Sequence, residues 1–198
     1  MNSVIELLEF KQRRDTPTLV LVDLHRAIVE NNTVANAETV NIVSALANCR
    51  AALRHARARR MSVAFIRPYE RSPSQSELPP SSRWLEDFEP KRADMVFDRR
   101  LPSCYASAEF VEMAGHIGGN YVLAGLFGET SCLSTAIDAF HRNHRFTYLA
   151  DASACRGLND LSSASMHESV TTIISLYGSI ATTQSWIRAT SQKFGVCG

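Results

Sequence analysis

Short apolar runs alternate along this chain with segments of helical periodicity, and this alternation restricts the fold more than any other feature. The first run, residues 18–24 (TLVLVDL), is rich in β-branched and aliphatic side chains and contains a carboxylate near its end. Such a run is typical of a parallel strand that is apolar on both faces. Residues 36–60 then repeat apolar side chains at helical spacing and predict a long helix.

The rest of the chain continues this alternation. Further strands are predicted over residues 61–66, 94–98, 121–126, 146–149 and 179–183, and further helices over residues 106–116, 130–143 and 161–176. Strands that alternate with helices predict an α/β fold, with a parallel sheet, helices on both faces and right-handed connections. We expect a single domain over residues 1–198, because a chain of this length can bury one core.

Charge and cysteine usage exclude several classes of protein. The chain has 21 Lys and Arg against 20 Asp and Glu, so it provides no field to hold nucleic acid or an anionic membrane. It has no apolar run of membrane-spanning length and no visible signal peptide. Its five cysteines are widely spaced without a CxxC pair, which disfavours a disulfide framework and a structural zinc site. We therefore expect a soluble, cytoplasmic protein.

Several common motifs are missing from the sequence. It contains no GxGxxG, Walker A, HExxH or GxSxG motif, and its six histidines are scattered. The residues therefore give little support to nucleotide binding or zinc chemistry, and we expect neither a metal nor a cofactor.

The carboxyl ends of the predicted strands form one candidate rim, because ligands bind there in open parallel sheets. Asp23 ends the first strand, where a carboxylate is costly to desolvate unless it is paired, hydrogen-bonded or neutral. It either caps the following turn or serves as an acid or a base. Arg99, after the third strand, either pairs with Asp23 and holds it ionised or is a surface arginine.

A glycine-containing turn leads from the fourth strand into the next helix, within residues 124–140 (AGLFGETSCLSTAIDAF). Ser131 and Cys132 fall in the first turn of that helix. Free N–H groups and the helix dipole lower a thiol pKa there and can hold an oxyanion. The alternative is that both are small residues that pack at a helix start.

An aspartate after the first strand, a basic residue after the third and a thiol in the helix after the fourth follow one another along the chain. Together they resemble the site of the isochorismatase-like hydrolase superfamily. The segments TLVLVDLH, RRLPSCY, GLFGETSCLSTAIDAFHRN and ADAS carry the resemblance, which covers about residues 17–185. It implies a three-layer α-β-α, Rossmann-like fold with a six-stranded, mainly parallel sheet in the order 3-2-1-4-5-6. It also implies dimers or tetramers, generally without a cofactor. The metal ligands of some nicotinamidases have no evident counterparts here.

The resemblance also implies roles for single residues. The cysteine hydrolases of the superfamily cleave amides with a Cys nucleophile, an Asp base and a Lys, whereas its isochorismatases hydrolyse a vinyl ether with the Asp as acid. Asp23 matches the Asp, and the Lys position falls on Arg99, which keeps the charge but cannot give up its proton. The Cys position falls on Ser131. Cys132 then lies one residue further into the helix, where its side chain is rotated by about 100° from that of Ser131. It reaches the site only if the alignment with the family shifts by one residue.

Six further residues are candidate substrate contacts. Trp84 falls in an irregular Pro- and Ser-rich stretch, residues 67–90, that is typical of a lid or a binding loop. Glu129 stands where isochorismatases have His, which weakens the case for isochorismate itself. The candidate contacts are His25, Arg67, Trp84, Tyr105, Phe127 and Gly128.

The sequence therefore predicts a hydrolase that acts on an amide, ester or vinyl ether bond of a small molecule. Asp23 is its general acid or base, and backbone N–H groups near Phe127 to Ser131 hold an oxyanion or a water. The charge of Arg99 opposes a raised Asp23 pKa and so favours the base. The alternatives are a thiol amidase that uses Cys132 and a catalytically silent binding or assembly module. We expect a homodimer or homotetramer.

Overall fold

The computed structural model describes residues 16–26, 37–69 and 83–193. Its strands are β1 (Thr18–Val22), β2 (Val63–Pro68), β3 (Met95–Arg99), β4 (Tyr121–Leu126), β5 (Phe146–Ala154) and β6 (Ser179–Ala181). Its helices are α1 (Ala37–Ala58), α2 (Ala108–His116), α3 (Leu133–His141), α4 (Ser163–Ile174) and α5 (Thr183–Lys193). A 3-10 turn spans Cys104–Ala106, and a π-helical turn spans Gly128–Cys132.

The strands form one sheet in the order β3-β2-β1-β4-β5-β6, and every neighbouring pair is parallel. The predicted α/β fold and strand order are confirmed. β1 lies at the centre, and its side chains alternate between two cores. Leu19 and Leu21 pack with α1 and α5 on one face, and Val20 and Val22 pack with α2, α3 and α4 on the other. All four are fully buried, so the three-layer arrangement follows from this strand.

Three elements differ from their predictions. β5 continues to Ala154 instead of ending at residue 149, because residues beyond a register shift pair again with β4. Helix α5 begins within a segment predicted as a strand, and its sequence (TQSWIRATSQK) is mainly polar, so it contains few apolar residues that could indicate a helix. The helix predicted over residues 130–143 begins instead with the π-helical turn. Most of the predicted lid and the start of the first predicted helix lie outside the described residues.

Gly125 in β4 allows the central strands to approach each other closely. Its φ is +124°, and an added Cβ would lie 2.2 Å from the carbonyl oxygen of Val22 in β1. An L-amino acid side chain is strained at this φ, and the contact is with backbone that cannot rotate away. The glycine is therefore required where the first and fourth strands carry the site.

We expect Gly125→Ala to lower the free energy of unfolding by at least about 3 kcal/mol, since it combines backbone strain with overpacking. Gly115→Ala is the matched control, because a Cβ at this helical glycine meets nothing within 4 Å. The control should gain about 0.5–1 kcal/mol. Urea denaturation of both variants tests this, and equal stabilities would contradict it.

In the described part of the chain, no helix is both long enough and apolar enough to cross a bilayer.

Candidate active site

Three polar side chains meet at the carboxyl edge of the sheet. Asp23 follows β1, Arg99 ends β3, and Ser131 lies in the π-helical turn after β4. The Ser131 hydroxyl donates to Asp23 Oδ2 at 2.6 Å and accepts from Arg99 Nη2 at 2.8 Å. Arg99 Nη2 also donates directly to Asp23 Oδ2. All three side chains are buried, so they form one desolvated cluster.

The backbone holds these side chains in unusual local conformations. Asp23 has a φ of +58°, in the left-handed region that Asp tolerates better than most residues, and its N–H donates to Ile66 O at 2.9 Å. The peptide between Leu126 and Phe127 is cis. In the turn that follows, the N–H groups of Ser131 and Cys132 both donate to Phe127 O, at 2.9 and 3.2 Å. These two N–H groups are therefore already bonded within the turn, so the Ser131 N–H, one of those that we expected to hold an oxyanion or a water, is used by the backbone.

The two oxygens of the Asp23 carboxyl group have different surroundings. Oδ2 accepts from both Arg99 and Ser131. Oδ1 is buried and has no hydrogen-bond partner among the residues that the structure describes. Arg99 is itself fixed by a second bond, from Nη1 to Leu101 O at 2.7 Å. The carboxyl group is thus fixed through one oxygen, and the other has hydrogen-bonding capacity that no described residue uses.

A cavity of about 240 Å³ opens onto this cluster. Two of the predicted substrate contacts, His25 and Phe127, line it together with the three clustered side chains. Pro102 and Thr130 were not predicted as contacts, although Thr130 directly precedes Ser131 in the sequence. The described lining residues are Asp23, His25, Pro68, Arg99, Pro102, Phe127, Thr130 and Ser131.

Burial raises the pKa of the Asp23 carboxyl group above its ordinary value of 3.8. The Arg99 guanidinium and the Ser131 hydroxyl act in the opposite direction but do not cancel the effect of burial, and Arg156 lowers the pKa further from a greater distance. We expected the charge of Arg99 to outweigh the cost of desolvating the carboxylate, but in the structure desolvation is the larger effect. The objection to an acid role for Asp23 is thereby removed.

Cys132 does not face the cavity. Its side chain is fully buried in the core beneath α3, and its Sγ lies 4.0 Å from Gly125 O. Burial raises the pKa of this thiol well above its usual value, so the expected lowering at the helix start is absent. The alignment with the family placed the nucleophile position on Ser131. In the structure the Ser131 side chain contacts Asp23 and Arg99, whereas that of Cys132 lies in the core, so the geometry agrees with this placement.

We expect Cys132 in the native protein to resist iodoacetamide, because a buried thiol with a raised pKa supplies little thiolate. Cys132→Ala should keep activity within about threefold of the wild type and lose about 1–2 kcal/mol of stability. Ser131→Ala, one residue away, is the matched variant and should lose at least about tenfold in kcat/KM, since it removes a hydrogen bond to a charged group. Labelling of Cys132 that tracks loss of activity would contradict this.

Tyr105 and Gly128 were predicted to contact substrate, but neither lines the cavity. The Tyr105 hydroxyl lies 2.7 Å from His144 Nδ1 and 3.3 Å from the Tyr121 hydroxyl, within the core beside α2. A Cβ at Gly128 would lie 2.6 Å from Cys155 Sγ, so this glycine is needed for packing behind the turn.

Arg67 and Trp84 also lie outside the described lining of the cavity. Arg67 Nε pairs with Asp98 Oδ1 at 2.8 Å, and its guanidinium carbon lies 5.2 Å from the centroid of a Trp84 ring. Trp84 packs edge-on against Phe65 and forms a backbone bridge to His25. Both residues therefore support the strand ends that carry the site.

A second ion pair, which the sequence did not indicate, lies beside the cavity. Arg156 Nε lies 2.8 Å from Glu129 Oε1, and the Arg156 guanidinium carbon lies 4.0 Å above the centroid of the Phe127 ring. Arg156 follows β5, which was predicted to end at residue 149, so nothing indicated that it would reach this edge of the sheet. Among the described residues, no group of three or more His, Cys, Asp or Glu side chains could hold a metal ion.

The fold and the buried polar cluster define an α/β protein with its site at the carboxyl edge of a parallel sheet. The family model of the Isochorismatase domain matches residues 17–184, so the chain belongs to the isochorismatase family, a family of hydrolases. A comparison with curated proteins found no match.

Solved structures support this assignment at the level of the fold. An isochorismatase from Pseudomonas putida KT2440 is 19% identical, with 87% of this chain and 90% of that chain covered and a TM-score of 0.76. A cysteine hydrolase from Pseudomonas syringae pv. phaseolicola 1448A is 18% identical, with 91% of this chain and 95% of that chain covered and a TM-score of 0.78. N-carbamoylsarcosine amidase from Thermoplasma acidophilum is 20% identical, with 85% of this chain and 96% of that chain covered and a TM-score of 0.63.

Proposed function

We propose that this protein hydrolyses an amide, ester or vinyl ether bond of a small molecule by direct attack of water, with Asp23 as the group that transfers the proton. The state of the Asp23 carboxyl group carries this proposal. Its Oδ2 is fixed by Arg99 and Ser131, whereas its Oδ1 has no partner among the described residues, and Asp23 lines the cavity. Proton transfer requires such a positioned group within hydrogen-bond reach of the reacting atoms.

For an amide or an ester, Asp23 Oδ1 accepts a proton from water while the water oxygen bonds to the carbonyl carbon. The same proton then passes to the leaving nitrogen or oxygen as its bond to that carbon breaks. For a vinyl ether, Oδ1 gives a proton to the terminal vinyl carbon, and water then bonds to the carbon that bears the ether oxygen and returns a proton to Oδ1. The resulting hemiketal breaks its bond to the ether oxygen, which leaves as an alcohol, and the other product is a carbonyl compound. A raised pKa serves either reaction, because it makes the carboxylate a stronger base and keeps the acid protonated closer to neutral pH.

The arrangement of the two possible covalent nucleophiles, Cys132 and Ser131, favours attack by water. Cys132 is fully buried outside the cavity. The Ser131 oxygen already accepts from Arg99, which withdraws electron density from it, and its hydroxyl proton is donated to Asp23. The N–H groups of Ser131 and Cys132 are bonded to Phe127 O. In the proposed mechanism Ser131 and Arg99 orient Asp23, and neither forms a bond to the substrate. Attack by Ser131 is the alternative, because its hydrogen bond to Asp23 is also the contact that activates a serine.

The size of the cavity favours a small substrate. Pockets for drug-sized ligands span about 300–1,000 Å³, and the cavity lined by the described residues measures about 240 Å³. The structural neighbour from Thermoplasma acidophilum is an N-carbamoylsarcosine amidase, which makes small amides the first class to test.

A screen of small amides, esters and vinyl ethers with the purified full-length chain tests this proposal. We expect turnover within one of the three classes, with one water consumed for each bond cleaved. If no class is turned over and Asp23→Asn leaves ligand binding unchanged, the proposal is wrong and a catalytically silent binding module is favoured. An unrelated protein from the same purification controls for contaminating hydrolases.

We further propose that the chain works in the cytoplasm as a homodimer or a homotetramer. Its four described cysteines are free and buried, as in proteins of a reducing compartment. Phe140 at the end of α3 and Leu176 after α4 are 52% and 72% exposed, and association would cover them. Light scattering should give two or four times the chain mass of 21.9 kDa, and a monomer would contradict the assembly.

A further inference from the structure

We propose that Arg156 is a positioning residue of this site, which holds the Phe127 ring as one wall of the cavity and, together with its partner Glu129, adjusts the charge that Arg99 already places at Asp23. This inference rests on the proposed function of Asp23. Arg156 reaches the carboxyl edge of the sheet because β5 continues to Ala154. Its guanidinium contacts both the ring that lines the cavity and the carboxylate of the adjacent turn.

The stacking contact positions the wall of the cavity. The Arg156 guanidinium carbon lies 4.0 Å from the Phe127 ring centroid, which is well within the roughly 6 Å range of a cation–π contact. Glu129 accepts from Arg156 at both its Nε (2.8 Å) and its backbone N–H (3.4 Å), so the guanidinium is held over the ring. The Glu129 side chain is only 12% exposed, whereas that of Arg156 is 44% exposed. The ring is therefore held between the cavity and a cation that faces solvent.

The charge of Arg156 also reaches Asp23. Arg156 contributes to lowering the pKa of the Asp23 carboxyl group, after Arg99 and Ser131. Glu129 carries the opposite charge on the turn that holds Ser131. Arg99 from β3 and His25 after β1 line the cavity with Asp23, and the thiols of Cys104 and Cys132, which are buried in the core, are close enough to feel its charge.

The two members of the ion pair should therefore have opposite effects when each is neutralised. Arg156→Gln removes a positive charge, so the Asp23 pKa rises. Glu129→Gln leaves Arg156 without its counter-ion, so the Asp23 pKa falls. A pair with a purely structural role would behave differently, because both substitutions break the same contact and would shift the site in the same direction.

The test measures the titration of the Asp23 carboxyl carbon by NMR, assigned with Asp23→Asn, together with the pH dependence of kcat/KM. We expect shifts of opposite sign, each of roughly half a pH unit to one unit. At a fixed pH on the side of the pH–rate profile where Asp23 titrates, these shifts correspond to roughly a threefold to tenfold change in kcat/KM. Arg156→Lys keeps the charge but not the planar stack, so it should leave the titration near that of the wild type and raise KM by roughly twofold to fivefold.

Arg142→Gln is the matched control. Arg142 also stacks over a ring, that of Tyr105 at 4.6 Å, and also pairs with an acid, Asp138 at 3.2 Å. Its side chain is similarly exposed, at 40%, but it does not line the cavity. We expect no shift in the Asp23 titration from this variant.

Shifts of the same sign in the Arg156→Gln and Glu129→Gln variants, or shifts no larger than that of the control, would overturn the inference. The proposed function would then still stand if Asp23→Asn is inactive. Conversely, an active Asp23→Asn variant would overturn the proposed function, while the NMR titration would still decide whether the ion pair sets the charge at Asp23.

Discussion

Replacing Asp23 by Asn is expected to lower kcat/KM by roughly 10²- to 10⁴-fold, the usual contribution of general acid–base catalysis. The amide fits the space of the carboxyl group but neither accepts nor donates a proton at Oδ1, the oxygen without a described partner. The remaining polar groups, including Ser131, stay in place. Steady-state kinetics on a substrate from the screen measures the loss.

The substitution also leaves Arg99 without its counter-ion, so a control must separate lost chemistry from lost stability. Asp94→Asn provides it, because Asp94 is 6% exposed and pairs with Arg57 at 2.5 Å, outside the described lining of the cavity. Both variants break a largely buried Asp–Arg pair, but only Asp23→Asn should lose activity at a temperature where both are folded. Equal losses in the two variants would contradict the role of Asp23.

Replacing Arg99 by Met is expected to lower the free energy of unfolding by about 3–5 kcal/mol at pH 8, the usual cost of leaving one member of a buried ion pair uncompensated. Arg99 is 5% exposed, and it pairs with Asp23 and donates to Ser131 and Leu101. Urea denaturation measures the loss. Activity should fall as well, since Asp23 loses the group that orients it.

The loss should depend on pH in a defined direction. Without Arg99, burial acts on Asp23 with little opposition, so its folded pKa rises further above the unfolded value of about 3.9. The folded variant then binds more protons than the unfolded chain, and its stability falls as pH rises through the folded pKa. The deficit relative to the wild type should therefore be smaller at pH 5 than at pH 8.

A double variant supplies the control for this experiment. Asp23→Asn combined with Arg99→Met removes both charges, so no uncompensated ion remains. We expect it to be more stable at pH 8 than Arg99→Met alone by at least about 1 kcal/mol. A deficit that is the same at both pH values, or additive losses in the double variant, would show that the pair is not coupled as described.

The fold could be predicted from the sequence because its main determinants are local. The apolar run of β1 is buried on both faces and identifies the central strand, and the alternation of elements defines the parallel sheet. Asp23, Arg99 and Ser131 each lie beyond or at the end of a predicted strand or in the turn that follows one. A parallel sheet brings such positions to one edge, so their proximity could be expected before the structure was known.

The parts of the site that could not be predicted depend on distant contacts or on small departures from regular geometry. The sequence predicted a regular α-helical start where the π-helical turn lies, although α-helical spacing did rotate Cys132 away from the Ser131 position, and Cys132 points into the core. Tyr105 bonds to His144, which is far away in the sequence. Arg156 was missed because the register shift that extends β5 has no local sequence signal.

The central claim is that water attacks the substrate directly, with Asp23 as the proton-transferring group and without a covalent intermediate. Rapid-quench mass spectrometry of the intact protein during turnover tests it most directly. We predict only the unmodified chain of 21.9 kDa at every time point. A transient species heavier by a fragment of the substrate, attached to Ser131 or Cys132, would contradict the account.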